Sequence, residues 1–326
     1  MPRTVVHLAG SPGGHLDLLA ALATGLGDDV DRVWVTGPGR RADDLAARGE
    51  TVRVVPDTGR AIRPVVRNVL AAGRLVLRTR PRLVICSGAG LTVAFCLFAR
   101  ALGAKLLWVE TTARVDDASR SGRLVSRFAE RVFVQWPETA GRYPGAVLCR
   151  PALWEEVRPP AGEAREGTFV AVGTHGAPFD RLLAAVDDAV GAGVLPTPVV
   201  AQAGPSAYRP RHYATVPWLT AEEVELCARR AQVVVCHAGS GIIAATLRSG
   251  RAPLVLPRLR AHGEHVDDHQ AQLAHKLAES GLAVVLDGEI RREQVAAGTR
   301  LSLARPEDAP SVADAVRDAI EEMAIV

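Results

Sequence analysis

A buried strand, a glycine-rich turn, a helix and a second strand follow one another in the second half of the chain, and this order leaves few folds open. Apolar residues at 232–235 predict the first strand, 242–247 the helix and 253–257 the second strand. The turn, Cys236–Gly241, ends in four small residues. Its backbone N–H groups and the helix N-terminus suit an anion, above all a phosphate, although such turns also serve plain helix–strand packing.

A dense polar segment follows the second strand. Residues 263–270 are Gly-Glu-His-Val-Asp-Asp-His-Gln, and carboxylate, imidazole and amide groups at a strand end suit a ligand with many hydroxyls. The same side-chain types also suit a metal-dependent hydrolase. Its ligands would come from His262, His265, Asp267, Asp268 and His269.

The first half opens with the same pattern. The strand Thr4–Leu8 is followed by a turn that contains Gly13, Gly14 and His15, and by apolar residues at helical spacing over 16–26. The two glycines would let a ligand approach the backbone, and the histidine would lie at the helix start. A helix N-terminus favours the neutral imidazole, which suits a general base; a capping histidine without chemistry is the alternative.

Two further strands of the first half end in candidate site residues. The strand 83–86 runs into a glycine-rich turn with Gly88, and the strand 105–109 ends at Glu110, with Arg114 close behind. A carboxylate at the carboxyl end of a parallel strand is a site candidate. A surface ion pair between the glutamate and the arginine is the alternative.

The length of 326 residues suggests two domains of about 150 residues each. Proline and charge mark residues 151–167 as a linker, and the strand–turn–helix pattern restarts after it with a turn at Gly173-Thr174. We therefore predict an α/β protein with a first domain over 1–150, a second over 168–309, and a C-terminal helix over 310–326 that is able to cross back to the first domain.

Composition excludes several classes of protein. The chain is 48% apolar and 23% charged, without an apolar run of the roughly 18 residues that a membrane span needs. The N-terminus lacks a signal-peptide pattern, and five scattered cysteines favour reduced thiols in the cytoplasm. Residues 1–150 carry a net charge of +9 and the rest −6. A basic first half suits an anionic partner, but no nucleic-acid motif accompanies it and aromatic residues make up only 4%.

Residues 61–80 form a basic amphipathic pattern. Apolar residues alternate with Arg63, Arg67, Arg74 and Arg78 at helical spacing. One interpretation is a solvated face opposite a core face. The other is a helix that lies on an anionic membrane surface.

Motifs in both halves resemble those of two cooperating glycosyltransferase subunits. The first half resembles the membrane-side subunit of the enzyme that adds the second N-acetylglucosamine to the dolichol-linked oligosaccharide, at 10–15, 87–90, 109–115 and 133–137. The second half is similar to the catalytic partner subunit, which belongs to glycosyltransferase family 28, at 171–174 with 179–180 and at 237–241 with 267–270. The resemblance covers nearly the whole chain, as a fusion of both subunits, and bacterial exopolysaccharide glycosyltransferases share it.

The resemblance implies the GT-B fold, in which two Rossmann-like domains face each other across a cleft. It also implies an inverting, metal-independent transfer from a UDP-sugar of the N-acetylglucosamine, glucose or glucuronic acid type, without a cofactor. The acceptor would be a hydroxyl of a lipid-linked molecule or glycoconjugate in bacterial polysaccharide synthesis. The enzyme would then be cytoplasmic, at the inner face of the cell membrane, in peripheral contact with anionic lipid through residues 61–80.

The resemblance further implies which residues bind each substrate. The donor would contact Gly173, Thr174, Trp218, Leu219, His237, Gly239, Ser240, Gly241, Asp268 and Gln270. The acceptor side would include Gly13, Gly14, Gly88 and Arg114. His15 is the leading general base, and Glu110 is a rival base or a residue that orients it. Because the Asp-x-Gln pattern at 268–270 matches sugar binding, we expect no metal ion here.

One departure and three alternatives accompany this hypothesis. Related sequences have a glutamate that holds the nucleotide ribose where this chain has Ala245. Either another residue binds the ribose or the donor differs. The alternatives are a UDP-sugar 2-epimerase of the same fold, a natural-product glycosyltransferase with a soluble acceptor, and an inactive half of a pair.

Overall fold

The computed structural model describes residues 4–26, 30–59, 61–159, 165–299 and 309–323. The chain forms two compact units, one of Met1–Ala152 with Asp308–Val326 and one of Leu153–Glu307. Each unit is a parallel sheet flanked by helices, which confirms the predicted α/β class.

The first unit is built on seven strands. They are β1 (Thr4–Gly10), β2 (Val30–Thr36), β3 (Thr51–Val54), β4 (Leu83–Gly88), β5 (Lys105–Val109), β6 (Arg131–Val134) and β7 (Val147–Leu148). Their order in the sheet is β3-β2-β1-β4-β5-β6-β7, and every neighbouring pair is parallel. All seven carboxyl ends therefore lie at one edge of the sheet.

Helices cover both faces of this sheet. They are α1 (Gly14–Gly25), α2 (Arg40–Ala47), α3 (Ile62–Thr79), α4 (Gly90–Ala101), α5 (Arg120–Val125) and α6 (Pro137–Ala140). Neighbouring strand residues belong to opposite layers of the core: Leu8 packs with α1, whereas Ala9 packs with α3 and α4. This alternation follows from the two-residue period of a strand, and it explains why the central strands read as continuous apolar runs.

The second unit repeats the design with six strands. They are β8 (Thr168–Ala171), β9 (Val199–Gln202), β10 (Thr215–Val216), β11 (Val233–Cys236), β12 (Leu254–Val255) and β13 (Val284–Val285). Their order is β10-β9-β8-β11-β12-β13, again with parallel neighbours only. The connecting helices are α7 (Ala152–Glu155), α8 (Asp180–Gly191), α9 (Ala221–Arg230), α10 (Ser240–Arg248), α11 (His269–Glu279) and α12 (Arg292–Gly298).

The last helix, α13 (Val312–Glu322), belongs to the first unit. Its buried face, with Val316 and Ile320, joins the same apolar cluster as α1. Arg317 also donates to the carbonyl of Gly25 at 2.9 Å. Much of the segment predicted as a linker lies in the second unit instead, from Leu153 onward, and residues 160–164 lie outside the described part of the chain.

Several short strands and helices of the structure were not predicted from the sequence. Strands β7 and β10 are only two residues long, and helices α5 and α12 are also short, so none shows a clear period. Helix α8 begins at Asp180, two residues after Pro178. Phe179 has a non-helical φ of −137°, and its N–H donates to Ser206 Oγ at 2.8 Å.

Within the described residues, no helix combines the length and apolar character that a membrane span requires.

A buried histidine makes the first unit sensitive to acid. His7 on β1 is 1% exposed, lies 5.9 Å from the Phe95 ring, and has no hydrogen-bond partner on either ring nitrogen. Burial, and then the charge of Arg53, lowers its pKa from 6.5 to about 4. As the pH falls, the unfolded chain binds a proton at this histidine before the folded protein does. The free energy of unfolding is therefore unaffected by His7 above about pH 6.5 and decreases as the pH drops toward 4.

We expect His7→Leu to remove an acid-induced loss of about 3 kcal/mol in the free energy of unfolding. Urea unfolding at pH 7 and pH 4 measures this loss in the wild-type protein and in the variant. The difference between the two losses is the contribution of His7. An equal loss in wild type and variant would contradict the assignment.

Candidate functional site

The predicted site residues lie at the carboxyl edges of the two sheets. In the first unit they follow β1, β4 and β5, and in the second they follow β8, β10, β11 and β12. The strand order reverses between β1 and β4 in one sheet and between β8 and β11 in the other. Such switch points open a crevice at the strand ends, where open α/β sheets bind ligands.

His15 lies at the switch point of the first unit. It is half-buried as the second residue of α1, and its Nδ1 lies 3.3 Å from Ser87 Oγ, which also donates to the His15 carbonyl at 3.1 Å. Gly88 has a φ of +125°, and a Cβ there would lie 3.0 Å from His15 Cε1. The imidazole therefore packs directly on the turn after β4, which requires glycine at this position.

The two glycines before His15 form the turn after β1. Gly13 is the N-cap residue of α1, with a φ of +99° and open space where a Cβ would point. Gly14 begins the helix. The backbone in this turn is thus accessible to a ligand at the N-terminus of a 12-residue helix.

Glu110 faces the interior of the first unit. It is 1% exposed, and its carboxylate accepts hydrogen bonds from the Ser119 hydroxyl at 2.9 Å, from the Ser119 and Thr111 N–H groups at 3.2 Å each, and from the Tyr143 hydroxyl. Burial and Glu110 together raise the pKa of Tyr143, which therefore remains a donor. This geometry fits an orienting residue and not a solvent-accessible base.

A buried amide network holds the loop that follows Glu110. Gln135 donates to the Glu110 carbonyl at 2.8 Å and accepts from the Thr112 hydroxyl at 2.6 Å, and the Thr139 hydroxyl donates to the Arg114 carbonyl at 2.8 Å. The side chain of Arg114 is half-buried. The motifs around 109–115 and 133–137 thus position one loop at the end of β5.

His237 occupies the switch point of the second unit. A Cβ on Gly173, whose φ is +83°, would lie 2.3 Å from His237 Cε1, and a Cβ on Gly239 would lie 2.1 Å from its Nε2. The imidazole is therefore enclosed by the backbones of two glycine turns. Burial, and then the charge of Arg258, lowers its pKa to about 3, so it is neutral at physiological pH.

The remaining turn residues lie beside this histidine. Ser240 begins α10, with Gly239 as the N-cap residue, and both Ser240 and Gly241 are half-buried. Thr174 is exposed on the turn after β8. The first N–H groups of a helix have no partner within the helix, so the start of this nine-residue helix offers donors that suit an anion.

A buried arginine that the sequence analysis missed lies beneath these turns. Arg258, in the loop after β12, is 0% exposed. Its guanidinium donates to the carbonyls of Val172 at 2.8 Å, Ala177 at 3.0 Å, Pro178 at 3.2 Å and Glu264 at 3.2 Å, and it lies 4.6 Å from the Phe179 ring centroid. Burial lowers its pKa to about 10, which leaves it charged.

Glu264 and Arg181 complete this anchor. Arg181 donates to the two oxygens of Glu264 at 3.0 and 2.8 Å and to the Pro257 carbonyl at 2.7 Å. Glu264 also accepts from the Leu259 N–H at 3.0 Å, and the ion pair with Arg181 lowers its pKa below the usual range. The only sequence signal for this group was a charge directly after a buried strand.

Asp268 and Gln270 flank the start of α11 with different surroundings. Asp268 is exposed, and its carboxylate accepts from the Arg260 N–H at 2.8 Å. Gln270 is 5% exposed, and its Oε1 accepts from the Arg258 N–H at 3.1 Å. Both side chains therefore also shape the loop 258–268.

Trp218 and Leu219 follow β10 and are half-buried. Gly204 donates to the Pro217 carbonyl at 2.9 Å, and a Cβ on Gly204 would lie 3.7 Å from the Trp218 ring. This segment thus lies beside the turn after β9, at the same carboxyl edge as the glycine turns.

The imidazole cluster comprises His175, His265, Asp267 and His269. Asp267 Oδ1 lies 3.2 Å from His265 Nδ1 and also contacts His269 Nδ1. Burial, and then the two neighbouring histidines, lowers the pKa of His265 to about 4. Of the five residues considered for a metal site, the structure groups His265, Asp267 and His269, while Asp268 bonds to the backbone of Arg260.

Ala245 is 2% exposed on α10 and lines a surface cavity of about 440 Å³ between α9 and α10. The carboxylates in this cavity belong to Glu222 and Glu225. Arg248, which also lines it, forms ion pairs with Glu225 and with Glu156.

Two family models match the chain. Residues 51–149 match "Oligosaccharide biosynthesis protein Alg14 like", and residues 168–323 match "Glycosyltransferase family 28 C-terminal domain". The first match lies within the first unit, whereas the second begins in the second unit and extends over α13 of the first unit.

Curated relatives of two kinds align with this chain over most of their own length, and one of each kind serves as an example. One is the UDP-N-acetylglucosamine transferase subunit ALG14 of Eremothecium gossypii, 35% identical over 44% of this chain and 76% of the relative. The other is the UDP-N-acetylglucosamine–N-acetylmuramyl-(pentapeptide) pyrophosphoryl-undecaprenol N-acetylglucosamine transferase of Xanthomonas euvesicatoria, 30% identical over 99% of this chain and 80% of the relative. Four other ALG14 subunits align over 32% to 38% of their length.

The fold is shared with solved glycosyltransferases. The crystal structure of MurG from Acinetobacter baumannii superposes with a TM-score of 0.63 at 20% identity, over 99% of this chain and 100% of that chain. This similarity identifies the fold as GT-B.

Proposed function

The chain belongs to glycosyltransferase family 28, and from that premise we propose that it transfers N-acetylglucosamine from UDP-N-acetylglucosamine to a hydroxyl of a lipid-linked acceptor. Both curated relatives carry N-acetylglucosamine transferase in their names, and one name includes a pyrophosphoryl-undecaprenol acceptor. The observation that carries the proposal is the pair of glycine turns around His237, because it presents backbone N–H groups and a helix N-terminus at one switch point.

We assign the donor to the second unit. The turns at Gly173 and at Gly239–Gly241 would bind the diphosphate, Trp218 and Leu219 the uracil, and Asp268 with Gln270 the sugar hydroxyls. Gln270 uses Oε1 to accept from Arg258, so its NH₂ group is the part assigned to a sugar oxygen. Glu222 and Glu225, in the cavity beside Ala245, are the carboxylates assigned to the ribose.

We assign the acceptor and the base to the first unit. His15 would remove the proton of the attacking hydroxyl while Ser87 orients its ring, and Glu110 would hold the loop that carries Arg114. A single base and a direct displacement lead to inversion at the anomeric carbon. Glu110 is not proposed as the base, because four donors already surround its buried carboxylate.

We propose that the transfer needs no metal ion. The leaving diphosphate requires positive charge or N–H donors. The N-terminus of α10 would supply the donors, and Arg258 would add positive charge beneath the turns while staying out of direct contact.

The proposed lipid-linked acceptor agrees with an unusual helix surface. The face of α3 that meets the core carries Asn68, Ala72 and Val76. Its exposed side is more apolar and carries Ile62, Val65, Val66, Val69, Leu70 and Leu77 together with four exposed arginines. Phe98 of the adjacent helix α4 and Leu102, directly after this helix, are also exposed. Exposed apolar and basic side chains side by side suit an anionic membrane surface at the cytoplasmic side.

We expect the double variant Arg67→Glu with Arg74→Glu to reduce binding to vesicles that contain phosphatidylglycerol by about tenfold or more, because each basic residue near such a surface contributes about 1 kcal/mol. Flotation at low and high salt measures the binding. Arg40→Glu with Arg48→Glu, at the first residue and at the C-cap residue of α2, makes the same change in net charge and should have little effect. Equal losses of vesicle binding in the two double variants would mean that binding depends on the net charge of the protein and not on the exposed surface of α3.

A thermal-shift panel tests the proposed donor. UDP-N-acetylglucosamine, UDP-glucose, UDP-glucuronic acid and GDP- and dTDP-sugars are compared with and without chelator. A donor at 100 times its Kd stabilises the folded protein by about 2.7 kcal/mol. The melting temperature of the protein should therefore rise when the donor is added, and this rise should be the same with and without chelator. Gly239→Ala should abolish the shift, whereas Gly176→Ala, where a Cβ meets nothing within 4 Å, should retain it.

Product release then distinguishes transfer from epimerisation. A transferase releases UDP in proportion to an added undecaprenyl-pyrophosphate-linked acceptor, whereas a 2-epimerase changes the sugar without one. Absence of any nucleotide-dependent shift would contradict the proposed donor site.

A further inference from the structure

The Asp-x-Gln pattern at 268–270 predicts no metal ion here, but the structure leads to a different inference: apart from the transfer reaction, we propose that His265, Asp267 and His269 bind one divalent transition-metal ion of the zinc type. One ligand atom from each residue lies within 4.8 Å of the others. Two imidazoles and a carboxylate are ligands that Zn²⁺ and Co²⁺ prefer in proteins. The three residues lie within five positions of each other, on the loop after β12 and at the first residue of α11.

The geometry of the three groups already converges on one point. Both imidazole Nδ1 atoms approach the same oxygen, Asp267 Oδ1, with 3.2 Å from His265. The rings of His265 and His269 are nearly perpendicular, with centroids 4.5 Å apart. Ligands at about 2.0–2.2 Å around a tetrahedral ion are themselves a little over 3 Å apart, so small side-chain rotations are enough to form the site.

A fourth position at this site is left for water or an anion. The His175 ring lies 4.8 Å from the His265 ring, but its Nδ1 accepts the Ala177 N–H at 3.1 Å. In the neutral ring the proton is then on Nε2, which makes His175 a hydrogen-bond donor beside the ion and not a ligand. Three protein ligands with one open position are the arrangement of accessible zinc sites.

A second histidine–aspartate pair in the same unit shows why the carboxylate of Asp267 is suited to an ion. His212 Nδ1 lies 3.0 Å from Asp187 Oδ1, but Asp187 is 0% exposed and also accepts from two backbone N–H groups and from Tyr208. Asp267 is 34% exposed at its side chain, and both of its imidazole partners are partly accessible. An ion can reach Asp267 from solvent, whereas Asp187 serves only to hold its loop.

Metal titration of the full chain tests the proposal without using activity. Co²⁺ is added to the chelator-treated protein while visible absorption is recorded, and Zn²⁺ is then used to displace it. We expect one tightly held ion per chain, with the strong visible bands of a four-coordinate Co²⁺ site. Asp267→Asn and His269→Ala should each weaken binding at least about tenfold, the lower end of what even supporting residues cost.

The matched control is His212→Ala, which removes the other histidine–aspartate pair and should leave the metal affinity unchanged. Melting curves without metal show whether each variant is folded. Binding that is substoichiometric, or that is equally strong in Asp267→Asn and wild type, would overturn the proposal. Because neither readout involves a nucleotide or an acceptor, a failure here is separate from a failure of the proposed transferase function.

Discussion

Replacing His15 by alanine is expected to lower kcat for sugar transfer by about 10²–10⁴-fold, the usual contribution of a positioned general base. The affinity for UDP should stay within a factor of about two, since we assign the nucleotide to the other unit. The reason lies in the structure around the ring: Ser87 Oγ lies 3.3 Å from Nδ1, and Gly88 leaves room for the ring to lie against the turn. Initial rates of acceptor-dependent UDP release measure kcat.

Two comparisons separate a base from a structural residue. Ser87→Ala removes the contacts of Ser87 Oγ to Nδ1 and to the His15 carbonyl but keeps the imidazole, so it should cost less than His15→Ala. His15→Ala should also lose the acidic limb of the pH–rate profile, which wild type shows as the base becomes protonated. A variant that keeps its kcat, or that loses nucleotide affinity in parallel, would mean that another group takes the proton.

Replacing Arg258 by methionine is expected to lower the free energy of unfolding of the second unit by about 3 kcal/mol or more, because a buried acceptor that is left without a donor costs about 1–3 kcal/mol. Four carbonyl groups would lose their donor, and the turn after β8 would lose its connection to the loop after β12. The melting temperature should fall on the order of 10 °C. Donor affinity should fall as well, because Gly173 lies on the turn that Arg258 holds.

A surface arginine is the matched control. Arg248 forms ion pairs with Glu156 and Glu225 and is 36% exposed at its side chain, so Arg248→Met should cost no more than about 1 kcal/mol. Thermal and urea unfolding of the two variants measure the contrast. Equal, small losses would show that the carbonyls around Arg258 find other donors, and that the buried charge is not the anchor.

The α/β class and the two units with glycine-rich turns follow from local patterns of residues. Short β-branched apolar runs such as 83–86 and 232–235, each followed by a glycine-rich turn, indicate buried strands, and such a turn depends only on the residues within it. His15, Gly173 and Gly239 were chosen as candidates this way, because each lies near the point where a strand passes into the following helix. The same logic placed Glu110 at a strand end, but it could not tell whether the carboxylate faced solvent or the interior.

The contacts between side chains, by contrast, depend on how the whole chain folds. Ser87 reaches His15 across 72 positions of sequence, and Arg258 reaches Val172 across 86, so neither contact leaves a local pattern. The burial of Glu110 depends on Tyr143 and Ser119, which the fold brings to one carboxylate. Periodicity reports how a segment meets its immediate neighbours in the chain, whereas the environment of a charged group depends on distant residues, and the energy of that environment determines its role.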